Sequence, residues 1–359
     1  MQTALADLRG RIDALDDRLL DMLNDRARLA QAVGHLKLDT GDTGVPVYRP
    51  EREAQIIRRL AAANPGPLPV AAVERLFKEV MSACRALEQP LTVAYLGPAG
   101  TFSEAAAFKQ FGHAVIGLPV ASIDEVFQAV EAGQAQYGLV PVENTSEGAI
   151  GRSLDLLLGT PLLICGEVVL RVRQNLLRQR AGLDGLRAVY SHAQSLGQCA
   201  GWLNAHLPGV ERVAVASNAE AARLAAADAD LAAIAGETAA AEYGLSLVAA
   251  GIEDAAGNST RFLVLGSNAA APSGKDKTSL AVYARNRPGS LLALIEPFAR
   301  FGVGLSKLES RPAKSGSWEY VFFIDLDGHR DDAQVAEAIA AAREQALSLK
   351  VLGSYPVAQ

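Results

Sequence analysis

At 359 residues the chain is long enough for two or three domains of roughly 150 residues each. Half of its residues are hydrophobic and about a fifth are charged, which excludes intrinsic disorder as the main state. A net charge of −6 argues against general affinity for nucleic acid or an anionic membrane.

Along the first segment, residues 1–90, apolar residues recur at Leu5, Leu8, Ile12, Leu15, Leu19, Met22, Leu29, Val33 and Leu36. Those steps of three and four predict one long helix over about 4–37 with a narrow packing seam. A polar loop at 39–44 follows, then a second helix from Arg49-Pro50-Glu51, with proline suited to its first turn. Asn64-Pro65-Gly66-Pro67 ends it, and a third helix carries Val73, Leu76, Phe77, Val80, Cys84 and Leu87. The segment holds 13 basic and 13 acidic residues, so it is no basic arm.

Charged residues interrupt the seam. Arg26 occupies a packing position between Met22 and Leu29. Such an arginine either snorkels outward or meets an anion, because burying it alone costs several kcal/mol. Lys37 lies 11 residues on, nearly on the same face and about 16 Å along the axis. Two such long side chains can bridge a small dianion. Arg9, 17 residues before Arg26, sits about 25 Å away on the same rod. It can join that site only from an antiparallel partner chain, which predicts a homodimer with shared sites; a higher oligomer stays open. Cys84 and Glu88 extend a stripe on the third helix, where a solvated glutamate is the plain alternative. Glu53, in the first turn of the second helix, is equally explained by the helix dipole.

These residues resemble the all-helical chorismate mutase family: Leu8-Arg9, Ile12-Asp13, Leu15-Asp16, Arg26, Leu29-Ala30, Val33-Gly34, Lys37 and Arg52-Glu53, over essentially the whole segment. The resemblance implies a three-helix, all-α domain forming an intertwined dimer. Arg26, Lys37 and the partner's Arg9 would grip the two carboxylates of chorismate, Lys37 would donate to the ether oxygen, and Glu53 would accept from the ring hydroxyl. Arg49 stands where some relatives have aspartate, Arg52 adjoins Glu53, and Cys84 stands where some have serine. Glu88 falls where relatives carry glutamine or glutamate aimed at the ether oxygen. The rearrangement to prephenate needs restraint of the substrate and stabilisation of negative charge on that oxygen, not a nucleophile. Glu88 helps only when protonated, which a desolvated pocket favours.

The second segment, residues 91–268, alternates short strands (Thr92–Leu96, Gly138–Val142, Ile164–Val172, Ala188–Tyr190, Val213–Ala216, Phe262–Leu265) with helical patterns (Ile123–Ala132, Leu196–Ala205, Ala219–Ala227). That alternation predicts α/β layers with mostly parallel sheets. Gly97-Pro98-Ala99-Gly100-Thr101-Phe102-Ser103-Glu104 reads either as an anion cradle at a helix start or as an ordinary strand–helix turn. Further polar clusters fall at predicted strand ends, where ligands collect in open sheets. The strings Gly97–Ser103, Val140-Pro141-Val142-Glu143-Asn144-Thr145, Ser191-His192-Ala193-Gln194 and Thr260-Arg261-Phe262 resemble the prephenate dehydratase family. Two α/β lobes with a cleft between them, similar to periplasmic binding proteins, are implied. Thr260 would carry dehydration, with Asn144, Ser191 and Gln198 in the cleft, Glu143 beside Asn144, and Thr101 and Ser103 on the first loop. Arg261 would be structural or a carboxylate anchor, and His192 either a general acid or a structural group. Loss of CO₂ and the ring hydroxyl requires a donor to that hydroxyl and a relatively uncharged setting for the carboxylate.

Residues 269–277 read as an exposed linker. Residues 278–356 then run strand, helix, strand, strand, helix, strand, a βαββαβ order that predicts an α+β, ferredoxin-like module. Arg287-Pro288-Gly289-Ser290-Leu291-Leu292 and Glu309-Ser310-Arg311-Pro312 resemble the two motifs of the ACT family. Gly289, Ser290, Leu291, Glu309, Ser310 and Arg311 would then bind L-phenylalanine as a feedback inhibitor.

Cys84, Cys165 and Cys199 form no CxxC, and the histidines have no metal-ligand spacing, so neither disulfide, metal nor organic cofactor is expected. No apolar leader opens the chain and no run nears the roughly 20 residues of a membrane span, which predicts a cytoplasmic protein without membrane or nucleic-acid partners. As a whole the chain resembles the bifunctional chorismate mutase–prephenate dehydratases, whose activity converts chorismate to prephenate and then to phenylpyruvate. The rival readings are a dehydratase with a merely dimerising helical segment, and a non-catalytic ligand-binding regulator.

Overall fold

The computed structural model describes residues 2–39, 46–146, 148–284, 287–312 and 320–358. Residues 1–91 with 111–116 form one compact unit, and residues 92–110 with 117–359 form another.

The first unit holds helices α1 (Gln2–Asp39), α2 (Pro50–Ala63) and α3 (Val70–Glu88). Pro50 opens α2 where its missing N–H costs nothing, and Glu51 and Glu53 follow in the first turn. Helix α2 buries Ala54 and Ile57, and α3 buries Met81, Ser82, Cys84 and Arg85. The α1 seam, from Leu5 to Leu36, stays 50–69 % exposed. Beyond Asp39 the loop expected at 39–44 lies outside the described residues.

The second unit opens with β1 (Thr92–Leu96), α4 (Phe102–Phe111), β2 (Ile116–Val120), α5 (Ile123–Glu131), β3 (Tyr137–Asn144), the short β4 (Gly148–Ala149), α6 (Gly151–Gly159) and β5 (Leu163–Arg171). The chain then crosses to a second lobe: β6 (Asn175–Arg178), β7 (Ala188–His192), α7 (Ala193–Gln198), α8 (Ala200–His206), β8 (Glu211–Val215), α9 (Asn218–Ala227), β9 (Leu231–Ala235), α10 (Glu237–Tyr243) and β10 (Ser246–Ala249). It returns through β11 (Ser259–Gly266). The sheet orders are β2-β1-β3-β11-β5, with β4 on β3, and β10-β6-β9-β7-β8.

Two sequence expectations are corrected here, and one strand is added. The sheets are mixed rather than mostly parallel: β1/β3, β7/β8 and β7/β9 are parallel, while β11 runs antiparallel to both β3 and β5, and β6 to both β9 and β10. Strands that link the lobes arrive without a crossover helix, so they enter each sheet from the opposite end. The single helix expected over 196–205 is two, broken at Cys199, because Asp254 accepts from the N–H groups of Gly201 (2.7 Å) and Trp202 (2.9 Å) and so starts α8 afresh. The alanine-rich β9 was not legible as a strand, although all five of its residues are buried.

The last part runs β12 (Asp276–Ala284), α11 (Ser290–Arg300), β13 (Leu305–Pro312), β14 (Tyr320–Asp327), α12 (Ala333–Gln345) and β15 (Ser348–Pro356). Its antiparallel sheet has the order β13-β14-β12-β15, the ferredoxin-like arrangement. One face packs Leu280, Val282 and Ile324 against Leu294, Phe298 and Ile339 of the helices. The other face contributes Ala281, Val321, Phe323, Leu352 and Tyr355 to the core of the first lobe, around Val140, Ile164 and Leu263. Lys350 Nζ donates to the carbonyls of Leu157 (2.9 Å), Leu158 (3.3 Å) and Thr160 (2.6 Å), where α6 ends. At Gly353 the two parts touch so closely that a Cβ would lie 2.0 Å from Ile164 O. The linker expected at 269–277 is also no free tether: Ala270, Ser273 and Asp276 are buried, Ser273 N donates to Asp276 Oδ2 (2.8 Å), and β12 begins within it.

Candidate active sites

In the helical unit, α2 and α3 bring Glu53 and Arg85 together across 32 positions of sequence. Arg85 is 4 % exposed and its Nη1 donates to Glu53 Oε1; its Nη2 donates to Phe111 O at 2.5 Å, and its guanidinium lies 5.0 Å over the Tyr48 ring. Burial pushes the Glu53 carboxyl above its ordinary range, opposed by Arg85, Lys78 and Arg26. Arg26 is therefore within electrostatic reach of Glu53, as one pocket requires. Glu88 is half-buried against Gly34 of α1, where a Cβ would meet its Cγ at 2.7 Å. Cys84 is buried one turn before it.

Other expected mutase residues stand apart. Arg9 is exposed, and the Lys37 side chain lies outside the described residues. Arg52 is exposed too, because adjacent helical residues point about 100° apart and Glu53 takes the inward direction. Arg49 Nε donates to the buried Glu51 (2.8 Å) rather than meeting Glu53. Sequence reasoning missed Arg85; its one signal was a place four residues after Met81 on a buried stripe.

In the first lobe, antiparallel register sets Thr260 of β11 opposite Asn144 of β3. Asn144 Nδ2 donates to Thr260 Oγ1 at 2.8 Å, and Asn144 Oδ1 accepts from Ser146 N at 2.9 Å. Both side chains are buried. With the amide as donor, the threonine hydroxyl keeps its own hydrogen for an acceptor. Thr101 caps the start of α4, its Oγ1 donating to Leu96 O (3.1 Å) and accepting from Glu104 N (3.4 Å), and Ser103 is buried beside it. Buried Glu104 accepts from Gly100 N (2.6 Å) and Tyr95 Oη (2.5 Å), so this turn carries its own carboxylate and is a strand–helix turn rather than an open anion cradle.

In the second lobe, Ser191 Oγ donates to Ile234 O (2.8 Å) and lies 2.9 Å from Asn218 Oδ1. Asn218 donates to Ser195 Oγ (2.9 Å), and Gln174 Nε2 donates to Ser195 Oγ (3.1 Å) and Gln198 Oε1 (3.2 Å). One polar network thus joins Ser191 to Gln198 through residues the sequence did not single out. His192 is exposed, with its backbone N–H on Asn218 Oδ1 (3.1 Å). A cavity of 320 Å³ opens where the lobes meet, lined by Phe102, Leu170 and Arg171 from the first, Arg173 from the crossing, and Gly236 and Glu237 from the second. Thr260 pairs in register with Leu170 of that lining.

Two expected dehydratase residues turn away from the Thr260–Asn144 pair. The Arg261 guanidinium is held by Glu167, Asp325 and Tyr355, as its structural alternative requires. Glu143 accepts from Lys307 of β13. Both follow from strand alternation, which turns the neighbours of Thr260 and Asn144 to the opposite face.

The two C-terminal motifs divide similarly. Gly289 takes φ +83° at the start of α11, which favours glycine. The hydroxyl of Ser290 is buried with no hydrogen-bond partner among the described residues, and Leu291 is 37 % exposed. Ser310 is exposed, whereas Glu309 faces Lys307 (3.4 Å) and Arg311 reaches Asp155 of α6 (3.6 Å). Glu309 and Arg311 thus contact their own strand and the first lobe.

Among the described residues no cluster of three His, Cys, Asp or Glu side chains could hold a metal ion, and no helix is long and apolar enough to cross a membrane. Residues 8–89 match the chorismate mutase type II family model, residues 93–270 that of prephenate dehydratase, and residues 278–344 that of the ACT domain. A bifunctional chorismate mutase/prephenate dehydratase of Neisseria gonorrhoeae is 53 % identical, covering 98 % of this chain and 96 % of its own. One from Pseudomonas aeruginosa is 51 % identical over 99 % of both. The crystal structure of prephenate dehydratase from Arthrobacter aurescens in complex with L-Phe matches with a TM-score of 0.68 at 33 % identity, over 74 % of this chain and 90 % of that one. With identity above one half sustained from end to end, the chain belongs to the bifunctional chorismate mutase/prephenate dehydratase family.

Proposed function

We propose that residues 1–90 rearrange chorismate to prephenate, that residues 91–268 convert prephenate to phenylpyruvate with loss of CO₂ and water, and that residues 278–356 bind L-phenylalanine as a feedback inhibitor. In the helical site, Arg26, Lys37 and the partner subunit's Arg9 bind the two carboxylates, Glu53 accepts from the ring hydroxyl, and Lys37, with Glu88 beside it, acts at the ether oxygen where negative charge develops. A homodimer follows from the α1 seam, whose exposed leucines need a cover and whose Arg9 lies too far from Arg26 to serve its own chain. Three buried free thiols fit a reducing cytoplasm.

For the second reaction, the observation that carries the reading is the buried Asn144–Thr260 hydrogen bond at 2.8 Å. It orients Thr260 to donate to the departing ring hydroxyl, while Arg171 and Arg173 in the cavity lining supply the cations that Arg261 does not. Aromatisation drives the elimination, so the protein has only to orient the ring and help the hydroxyl leave. Purified protein given chorismate should yield phenylpyruvate, and L-phenylalanine should slow the second step. Accumulation of prephenate alone refutes the dehydratase assignment, and no consumption of chorismate refutes the mutase assignment.

A further inference from the structure

Thr260 and Asn144 are gripped from behind. Residues adjacent to them on the same two strands, Arg261 and Glu143, pass to the other face of the sheet and meet the ACT strands. Arg261 is 13 % exposed. Its Nε donates to Glu167 Oε2 (2.8 Å), Nη1 to Asp325 Oδ2 (2.6 Å) and Nη2 to Tyr355 Oη (3.0 Å). Ser279 of β12 locks the last two, its Oγ donating to Asp325 Oδ1 at 2.6 Å and lying 2.6 Å from Tyr355 Oη. Glu167 is 1 % exposed and also takes Lys277 Nζ at 3.0 Å. Glu143 accepts from Lys307 Nζ at 2.9 Å, and Lys307 lies 3.4 Å from Glu309, the first residue of the second ACT motif.

A shared apolar core already attaches the ACT sheet to this lobe. A buried ionic network adds little net stability, because desolvation offsets the attraction. What it adds is direction: each charge fixes where a strand residue must sit.

We propose that Arg261 and Glu143 are positioning residues for the Thr260–Asn144 pair, and that Lys307 and Asp325 carry the state of the effector motif to that pair through them. The inference rests on the dehydratase and phenylalanine readings above. Its physical content is short-ranged. A ligand that displaces β13 changes the place of Lys307, hence of Glu143, and a hydrogen bond of 2.8 Å between the next residues weakens within a few tenths of an ångström. Both sites bias one strand pair, the condition for a coupling free energy.

The test uses the full-length protein and reads prephenate turnover with and without L-phenylalanine, calorimetric binding of L-phenylalanine, and mutase turnover as a check that each variant is folded. Lys307→Met should raise the half-inhibitory phenylalanine concentration at least tenfold while phenylalanine still binds, and Lys307→Arg should keep it within twofold of wild type. Arg261→Lys should lower dehydratase kcat at least tenfold with KM changed less than twofold. Wild-type inhibition in Lys307→Met, loss of phenylalanine binding in that variant, or wild-type kcat in Arg261→Lys overturns the coupling alone. A wild-type protein without prephenate turnover, or without response to phenylalanine, overturns the site assignments and the coupling with them.

Discussion

Replacing Arg85 with methionine keeps the length of the side chain and removes its charge from a site that is 4 % exposed. Two losses follow, and pH separates them. The carbonyl of Phe111 loses a donor, a cost of about 1–3 kcal/mol that is indifferent to pH. Glu53 loses its nearest cation, with Lys78 and Arg26 remaining. Removing that arginine lifts the Glu53 carboxyl further, and stripping a buried charge of its partner costs about 3–5 kcal/mol while it stays ionised. The sign is set by Glu53 already lying above its ordinary value of 4.5. A carboxyl raised by folding adds stability that is complete below that value and disappears as pH climbs through the folded pKa. The variant therefore loses more stability at pH 8 than at pH 5, where Glu53 takes up a proton instead of remaining a lone buried anion. The same change moves the acid limb of mutase kcat/KM further upward, since only ionised Glu53 accepts from the ring hydroxyl. Urea unfolding followed by helical circular dichroism at both pH values measures the first effect, and a pH–rate profile of mutase turnover the second. Equal losses at pH 5 and 8 with an unmoved acid limb refute the reasoning.

Thr260→Ala should cut dehydratase kcat by about 10²-fold or more while mutase turnover stays at the wild-type level; a folded variant with normal phenylpyruvate formation removes Thr260 from the mechanism. Glu88→Gln, which keeps a hydrogen-bond donor at that place, should hold mutase kcat/KM within about tenfold of wild type while Glu88→Ala loses more than about tenfold, and equal loss in both removes Glu88 as a donor to the ether oxygen. Gly353→Ala puts a methyl group where Ile164 O lies 2.0 Å away, and should lower the thermal midpoint of the second unit by the equivalent of about 1–3 kcal/mol or more. An unchanged midpoint shows that the contact yields.

What was legible in the sequence was mainly local. The α1 periodicity marks a long helix because seam spacing survives without tertiary help, and the βαββαβ order of residues 278–356 shows in plain alternation. Asn144 and Thr260 belong to strings that resemble a known family, and antiparallel register joins them across 116 positions. The missed features depend on long-range partners. Arg85 is a surface-type residue in composition, and Glu53, Phe111 and the Tyr48 ring make its burial tolerable. For Arg261 the sequence allows a structural role and a carboxylate anchor alike, because the partners that hold it, Glu167, Asp325 and Tyr355, lie on distant strands. Strand β9 was hidden because alanine favours helices when exposed, while here three alanines with Leu231 and Ile234 fit between packed layers. The sheets departed from the parallel expectation because the lobe-crossing strands are recognisable only once both lobes are known.

The union of the C-terminal sheet with the first lobe restricts how such a protein can be cut or recombined. Phe323, Leu352 and Tyr355 are interior residues of both parts at once. A protein ended near Pro272 would not be an unregulated dehydratase but a lobe with its flank stripped open, greasy and prone to clump. Grafting a foreign sensor would require matching that flank residue for residue, including the bare backbone of Gly353.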